Sequence, residues 1–467
     1  MVFSSITFIY LYLPITLIVY YLTSTRYRNF WLLLVNLVFY GYGEPVYLIL
    51  MLASIVLNYF SGYMIEKLIH SRRRLAKCIL VANTLINLAL LIFFKYIDFF
   101  IRGLAHISLF SRLRPIGLAL PIGISFYTFQ AMSYPVDIYW GKTKGEKSFL
   151  RFSTYVSLFP QLIAGPIVRY TEVADSLVHR EIGVHRIAKG VRRFTIGLAK
   201  KILLANNIGQ LWNVYNAMPM AQLSVTDAWL SALAFTFQIY FDFSGYSDMA
   251  IGLGEMLGFT FPENFNYPYT SKSITEFWRK WHITLSSWFR DYVYIPLGGN
   301  RRGKKRNLLN IWIVWALTGL WHGASVNFLL WGIYYGILLT FEKLFLYKWL
   351  ERCPTIVQHF YTMLLVVMGW VIFSITDLHR LLGYLGVMFF VHADQVISAQ
   401  ALYYLRDYGV VLIILIIGCS PFVREFHRKW NPVFKQVMAP VMIGILLLLC
   451  TAYLVDSTYN PFLYFRF

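Results

Sequence analysis

His322 is the residue in this chain best placed for proton chemistry. It lies within Asn307–Phe341, a run with no Asp, Glu, Lys or Arg that is long enough to cross a bilayer. An ionisable side chain at membrane depth is costly, so it marks a functional site unless a neighbouring helix requires it as a hydrogen-bond partner. Free imidazole titrates near neutrality, and its neutral form accepts a proton. A hydroxyl is a poor nucleophile until such a base takes its proton. Gly319, Gly323, Ala324 and Ser325 surround His322 with small residues that let backbone or substrate approach closely.

A second histidine, His282, lies in TEFWRKWHITLSSWFRDYVYIPLGGN. Helical spacing places Trp278, His282 and Phe289 near one face, with Trp281, Leu285 and Trp288 beside it. Arg279, Lys280, Arg290 and Asp291 make the segment too charged for a lipid-exposed span. It therefore reads as an interfacial helix or one that dips into a protein cavity. Asp242 and Asp248 stand in FQIYFDFSGYSDMAIGLG, among Gln238, Ser244, Tyr246 and Ser247. Acids in so apolar a setting need partners. Bracing neighbouring helices is their competing role, and packing is that of His282.

The elements that must hold these residues are helices in a membrane. The chain of 467 residues is 58% hydrophobic and 18% aromatic, and its 14% charged residues fall well below the roughly 25% of soluble domains. Uncharged runs recur along the chain, among them Pro45–Ile65, Cys78–Phe94, Phe152–Val168, Ala228–Phe241, Thr355–Thr376 and Val437–Val455. They predict an all-α polytopic membrane protein with about 10–12 transmembrane or re-entrant helices. Continuous rather than alternating apolarity excludes a β-barrel. Pro115, Gly117, Pro121, Gly123 and Pro135 predict a broken or re-entrant stretch over 115–139, and FPQLIAGP (159–166) repeats that character. Such backbone is tolerated only inside protein or along a wet cavity.

The first apolar segment reads as a retained anchor, since no Lys or Arg precedes it and Thr23–Arg26 is a poor cleavage site. Net charge is +20, concentrated at Arg180–Lys201 and Arg301–Arg306. The positive-inside rule and anionic headgroups account for most of it, leaving room for an acidic soluble partner. No nucleic-acid module is visible. Cys78, Cys353, Cys419 and Cys450 are scattered, so neither a disulfide framework nor a metal site is expected. No internal repeat or separate soluble domain is evident. The division expected is 1–110 for N-terminal transmembrane helices, 111–345 for a core with re-entrant segments, and 346–467 for C-terminal helices ending in an aromatic tail, 456–467.

Five stretches together resemble the membrane-bound O-acyltransferases of the bacterial alginate O-acetyltransferase type. They are PIGISFYTFQAMSYPVDIYWGK (121–142), FPQLIAGPIVRY (159–170), FQIYFDFSGYSDMAIGLGEMLGF (237–259), FWRKWHITLSSWFRDYVYIPLGGNR (277–301) and TGLWHGASVNFLLWG (318–332). The resemblance implies a ring of helices around a thin central wall, with funnels on both faces. It also implies that His322 is the catalytic histidine and His282 the family's second histidine. Acyl transfer from a cytoplasmic thioester, acetyl-CoA or an acyl carrier protein, to a hydroxyl outside follows, with no metal and no redox cofactor. The acyl group implied is acetyl and the acceptor an exported polysaccharide such as alginate or peptidoglycan. Attack on the thioester creates an oxyanion that needs a donor; His282, Trp321 and Ser325 are possible ones, and His282 is the one expected. Asp242 and Asp248 are further candidates for the substrate tunnel. A multi-pass protein of the inner or plasma membrane, with an extracytoplasmic transferase partner of SGNH type, is implied as well.

After the last helix the chain reads DSTYNPFLYFRF. Aromatic residues there serve as an interfacial anchor. The tail is also similar to those of small membrane partners in teichoic acid D-alanylation, which implies a second role in which Tyr464 accepts the acyl group and passes it on. The competing non-enzymatic reading is a polysaccharide or lipid channel that His322 lines.

Overall fold

The computed structural model describes residues 1–105, 107, 110, 112–456, 459–461 and 463, with backbone only at Val433 and Lys435. Tyr464 lies outside the described residues. Among the described residues every regular element is a helix. Two compact units emerge: Met1–Phe194 with Tyr246–Pro262, and Thr195–Gly245 with Glu263–Phe467. The helix Val225–Met256 contributes to both.

By length and composition five described helices can cross a membrane, at Leu48–Leu68, Arg73–Ala105, Val326–Leu350, Thr355–Ser374 and Gln436–Asp456. The bent pair Ala399–Asp407 and Gly409–Gly418 makes a sixth if it is one span. Other apolar runs are divided or interrupted. Ala228–Phe241 belongs to a 32-residue helix that also carries Asp227, Asp242, Asp248 and Glu255. The 152–168 run is split into Phe149–Ser157, Phe159–Leu162 and a non-helical stretch.

In the first unit, buried polar side chains join helices. Asn83 and Asn87 each donate to Asn58 Oδ1, at 3.0 and 3.2 Å, and Asn58 donates to Asn87 Oδ1 at 3.1 Å. All three are buried, tying Leu48–Leu68 to Arg73–Ala105. At the break near Leu158, Asn36 Oδ1 accepts from Phe159 N–H at 3.1 Å. The expected irregular stretch is non-helical over 114–121 and then becomes the helix Ile124–Tyr139, which runs through Pro135. Gly123 opens it at φ +75°, where an added Cβ would lie 2.5 Å from the Leu162 carbonyl oxygen. Only glycine meets both demands.

Glu146 closes the loop after that helix. Its carboxylate accepts from Arg151 at 2.6 Å, Ser148 N–H at 2.8 Å and the Tyr170 hydroxyl at 2.7 Å. Burial opposes its charge, but these donors outweigh burial and hold the carboxyl below its ordinary value of 4.5.

The second unit contains the hairpin of Gly303–His322 and Val326–Phe341. Its arms touch at backbone level. A Cβ on Gly319 would lie 2.5 Å from the Phe328 carbonyl oxygen, and one on Gly332 would lie 2.5 Å from that of Trp315. Small residues at such a crossing replace the missing hydrophobic drive in lipid with close van der Waals packing. Asn327 then donates to the Phe373 carbonyl at 2.8 Å, fastening the hairpin to Thr355–Ser374.

Because the Glu146 pKa is depressed on folding, its contribution is complete above the unfolded carboxylate value and fades as pH falls through the folded one. Thermal unfolding of purified protein between pH 6 and 3 is expected to show this acid loss, and Glu146→Gln to flatten it. Glu146→Gln is also expected to lower stability at pH 7 by about 2–3 kcal/mol, since Arg151 loses its charged partner.

Candidate functional site

His282 and His322 line one cavity of about 240 Å³ in the second unit, together with Trp278, Trp315, Arg279 and Arg290. His322 is the last residue of its helix, one turn beyond the Gly319 crossing. Its ring meets Trp331 at 5.0 Å and Phe373 at 5.1 Å, both edge-on. Trp321 is buried, with its ring centroid 5.0 Å from His322 and 6.1 Å from His282. Aromatic walls thus pack closely around the His322 ring.

The His282 segment is not the single helix that the spacing suggests. Ile274–Lys280 and Ile283–Phe289 are separate helices, and His282 between them adopts the left-handed conformation, φ 43° and ψ 54°. For a residue with a Cβ this costs roughly 1–2 kcal/mol and must be held by its surroundings. Four bonds hold it. Asn264 accepts Ile283 N–H on its backbone oxygen at 2.9 Å, and Asn266 N–H donates to Lys280 O at 3.0 Å. The Asn264 side-chain oxygen accepts from Thr284 N–H at 3.2 Å and from the Thr284 hydroxyl at 2.8 Å.

The same oxygen lies 3.1 Å from His282 Nδ1. Because a backbone N–H donates to it, that Asn264 atom is the carbonyl oxygen and not the amide nitrogen. Nδ1 must therefore carry the hydrogen, and in the neutral ring Nε2 presents a lone pair.

A second support comes from Glu342. Fully buried, it accepts from Ile274 N–H at 2.6 Å, Thr275 N–H at 3.0 Å and the Thr275 hydroxyl at 2.8 Å. The carboxylate thus closes the N-terminus of the helix that leads into His282, where backbone donors and dipole favour an anion.

The remaining sequence candidates fall elsewhere. Ser325 is half-buried at the N-terminal end of Val326–Phe341, where its backbone oxygen accepts from Phe328 N–H. Asp242 pairs with Lys201 at 2.6 Å, each side chain 2% exposed. Asp248 lies in the first unit, paired with Arg193 at 2.8 Å. None of these three lines the cavity, nor does Trp321. Sequence reasoning missed Asn264, Glu342 and Lys201. Glu342 carried a signal, as the first charge after the run that holds His322. Lys201 was masked by its basic neighbours. Among the described residues no cluster of His, Cys, Asp and Glu has the geometry to hold a metal.

Residues 142–384 match the model of the membrane-bound O-acyltransferase family, a segment that contains both histidines, Asn264 and Glu342. The chain belongs to that family. It is a polytopic membrane acyltransferase. "Probable alginate O-acetylase AlgI" of Pseudomonas putida is 38% identical to it over 488 positions, covering the whole of both chains. The peptidoglycan O-acetyltransferase of Helicobacter pylori is 34% identical, over 83% of this chain and 80% of that one. The teichoic acid D-alanyltransferase of Bacillus subtilis is 30% identical over 56% of this chain and 70% of its own.

In this acyltransferase the Asn264 oxygen is expected to act through His282. Asn264→Ala removes three acceptor contacts and should lower the acyl-transfer rate at least about 10-fold, with a stability loss of about 1–3 kcal/mol. Asn264→Asp retains an acceptor at the same place and should recover most of the rate. Rates and melting temperatures of both variants, measured in parallel, separate positioning from simple unfolding.

Proposed function

We propose that this acyltransferase O-acetylates an exported cell-envelope polysaccharide, alginate, peptidoglycan or a similar glycan, with His322 as general base. The observation that carries the proposal is the convergence of His282 and His322 on one cavity within the matched family segment. The relatives named for alginate and peptidoglycan acetylation extend over more of this chain than those named for D-alanylation, which favours acetyl as the group moved.

The donor is a thioester, acetyl-CoA or an acylated carrier protein. Leu285, Ile311 and Val314 supply apolar wall for a pantetheine-like arm, and the exposed Arg279 and Arg290 supply positive charge for its phosphates. In the reaction the acceptor O–H bond breaks and its proton passes to the His322 ring. The freed oxygen pair forms the new C–O bond at the thioester carbonyl. The C–S bond then breaks, and the departing sulfur receives the proton. With its Nδ1–H engaged by Asn264, neutral His282 offers a lone pair rather than an N–H, so it suits orienting the acceptor hydroxyl.

On this reading the protein resides in the inner or plasma membrane, receives donor from the cytoplasm and works with an extracytoplasmic SGNH-type transferase. An acidic acyl carrier protein fits the basic surface. Tyr464 takes the acyl group on its phenol and hands it to that transferase. No metal or redox cofactor enters the scheme.

The test is the O-acetyl content of exported envelope glycans in cells with wild type, His322→Ala, Tyr464→Phe or no protein, at matched membrane levels. His322→Ala is expected to equal the deletion, a loss of at least about 100-fold for a missing general base. Tyr464→Phe is expected to be as deficient, because no acyl ester can form on phenylalanine. Acetylation that persists in His322→Ala overturns the base assignment; persistence in Tyr464→Phe removes the relay alone.

A further inference from the structure

The helical stretch from Val184 to Ala217 is interrupted by a π segment, Lys200–Ala205. Such wide turns insert a residue into a helix and recur at functional sites. This one carries the buried Lys201. The helix that bears its partner Asp242 approaches closely through Gly245, where an added Cβ would lie 2.7 Å from Gly197 O and 3.1 Å from Lys201 N. A buried ion pair alone is weak evidence of anything, since apolar residues of similar volume often serve stability as well.

What sets this pair apart is that backbone groups bond to both of its charged side chains. Lys201 Nζ donates to the Pro461 carbonyl, and Leu463 N–H donates to Asp242 Oδ2 at 2.9 Å. Asn206 Nδ2 donates to the Tyr459 carbonyl at 3.3 Å and to Asn460 Oδ1 at 3.2 Å. Gln238 Nε2 reaches the Tyr459 hydroxyl at 3.4 Å. Gly209 leaves room for that hydroxyl, 3.1 Å from where a Cβ would stand. Leu463 is buried at the end of the segment. Three main-chain groups of a five-residue stretch are thus read by side chains from two helices.

We propose that Lys201, Asn206, Gln238 and Asp242 form a peptide-binding slot whose occupant is the chain's own Tyr459, Asn460, Pro461 and Leu463, seated through main-chain groups and the Tyr459 and Asn460 side chains. Recognition of main-chain groups fixes the direction and register of the segment, and the Tyr459 and Asn460 side chains add to it. The slot's purpose rests on the acyl-relay reading, because Leu463 directly precedes Tyr464 in the sequence. The seating itself is independent of the chemistry.

The test is hydrogen exchange over residues 457–467 of the full-length protein in lipid nanodiscs. Wild type is expected to protect the Leu463 amide, which donates to Asp242. The double variant Lys201→Met with Asp242→Leu removes both charges together and strands neither, so the fold is retained. It is expected to speed exchange in this segment by about 10-fold or more, the loss of two charge-assisted bonds, with the other helices unchanged. A milder pair, Asn206→Ala with Gln238→Ala, covers the case in which the double variant does not fold, and should speed exchange about 3-fold.

Random-coil exchange rates in wild type, or unchanged protection in a folded variant, overturn the slot. Lost protection with normal acetylation upholds the slot and removes the relay. Unchanged protection alongside a defective Tyr464→Phe overturns the slot and leaves the relay standing.

Discussion

Hydrocarbon offers no hydrogen bonds, and this one constraint governs where the chain can depart from a helix. Every broken turn frees N–H and C=O groups that water cannot reach. At each functional departure here a side chain closes the gap: Asn36 at Phe159, Glu342 at Ile274 and Thr275, and Asn264 at Thr284. The cost of an unsatisfied buried group, several kcal/mol in lipid, makes these side chains as structural as any span. The irregular backbone then becomes useful, because it turns His282 into a cavity that a continuous helix would bypass.

The chemistry inherits that rigidity. His322 is fixed by a crossing at which two glycines bring backbones together, and His282 by an oxygen that also caps the next helix. Both imidazoles are walled by indole and phenyl rings. Such walls are apolar surfaces against which an imidazole ring packs closely. Preorganisation of this kind lowers the reorganisation needed when charge develops during transfer.

Much of this was legible in the sequence, for definite reasons. A histidine inside an uncharged run announces itself, since few residues are so costly in lipid, and both histidines line one cavity. The all-helical membrane class follows from composition alone. The break at His282 was not legible, because Trp278, His282 and Phe289 keep helical spacing across it while the cause, Asn264, lies 18 residues earlier. Asp242 and Asp248 were correctly seen to need partners. Yet Lys201 looked like one more cytoplasmic cation, because sequence counts charge without showing which way a π turn rotates it. Apolar runs likewise overstate long spans, since apolarity does not reveal where an asparagine will end a helix.

The timing of synthesis gives the Lys201–Asp242 pair one further meaning. The hairpin Gly303–Phe341 joins near neighbours in sequence and can form as soon as both arms are made. The bonds from Lys201 to Pro461 and from Leu463 to Asp242 span 260 and 221 residues. They are among the last contacts available to a chain built from its N-terminus, and until they form, the pair has hydrogen-bonding capacity that nothing else in those bonds supplies. Pro461 and Leu463 therefore report that the helices bearing Lys201 and Asp242 have already met, and without those two residues the pair would be an unfinished polar site.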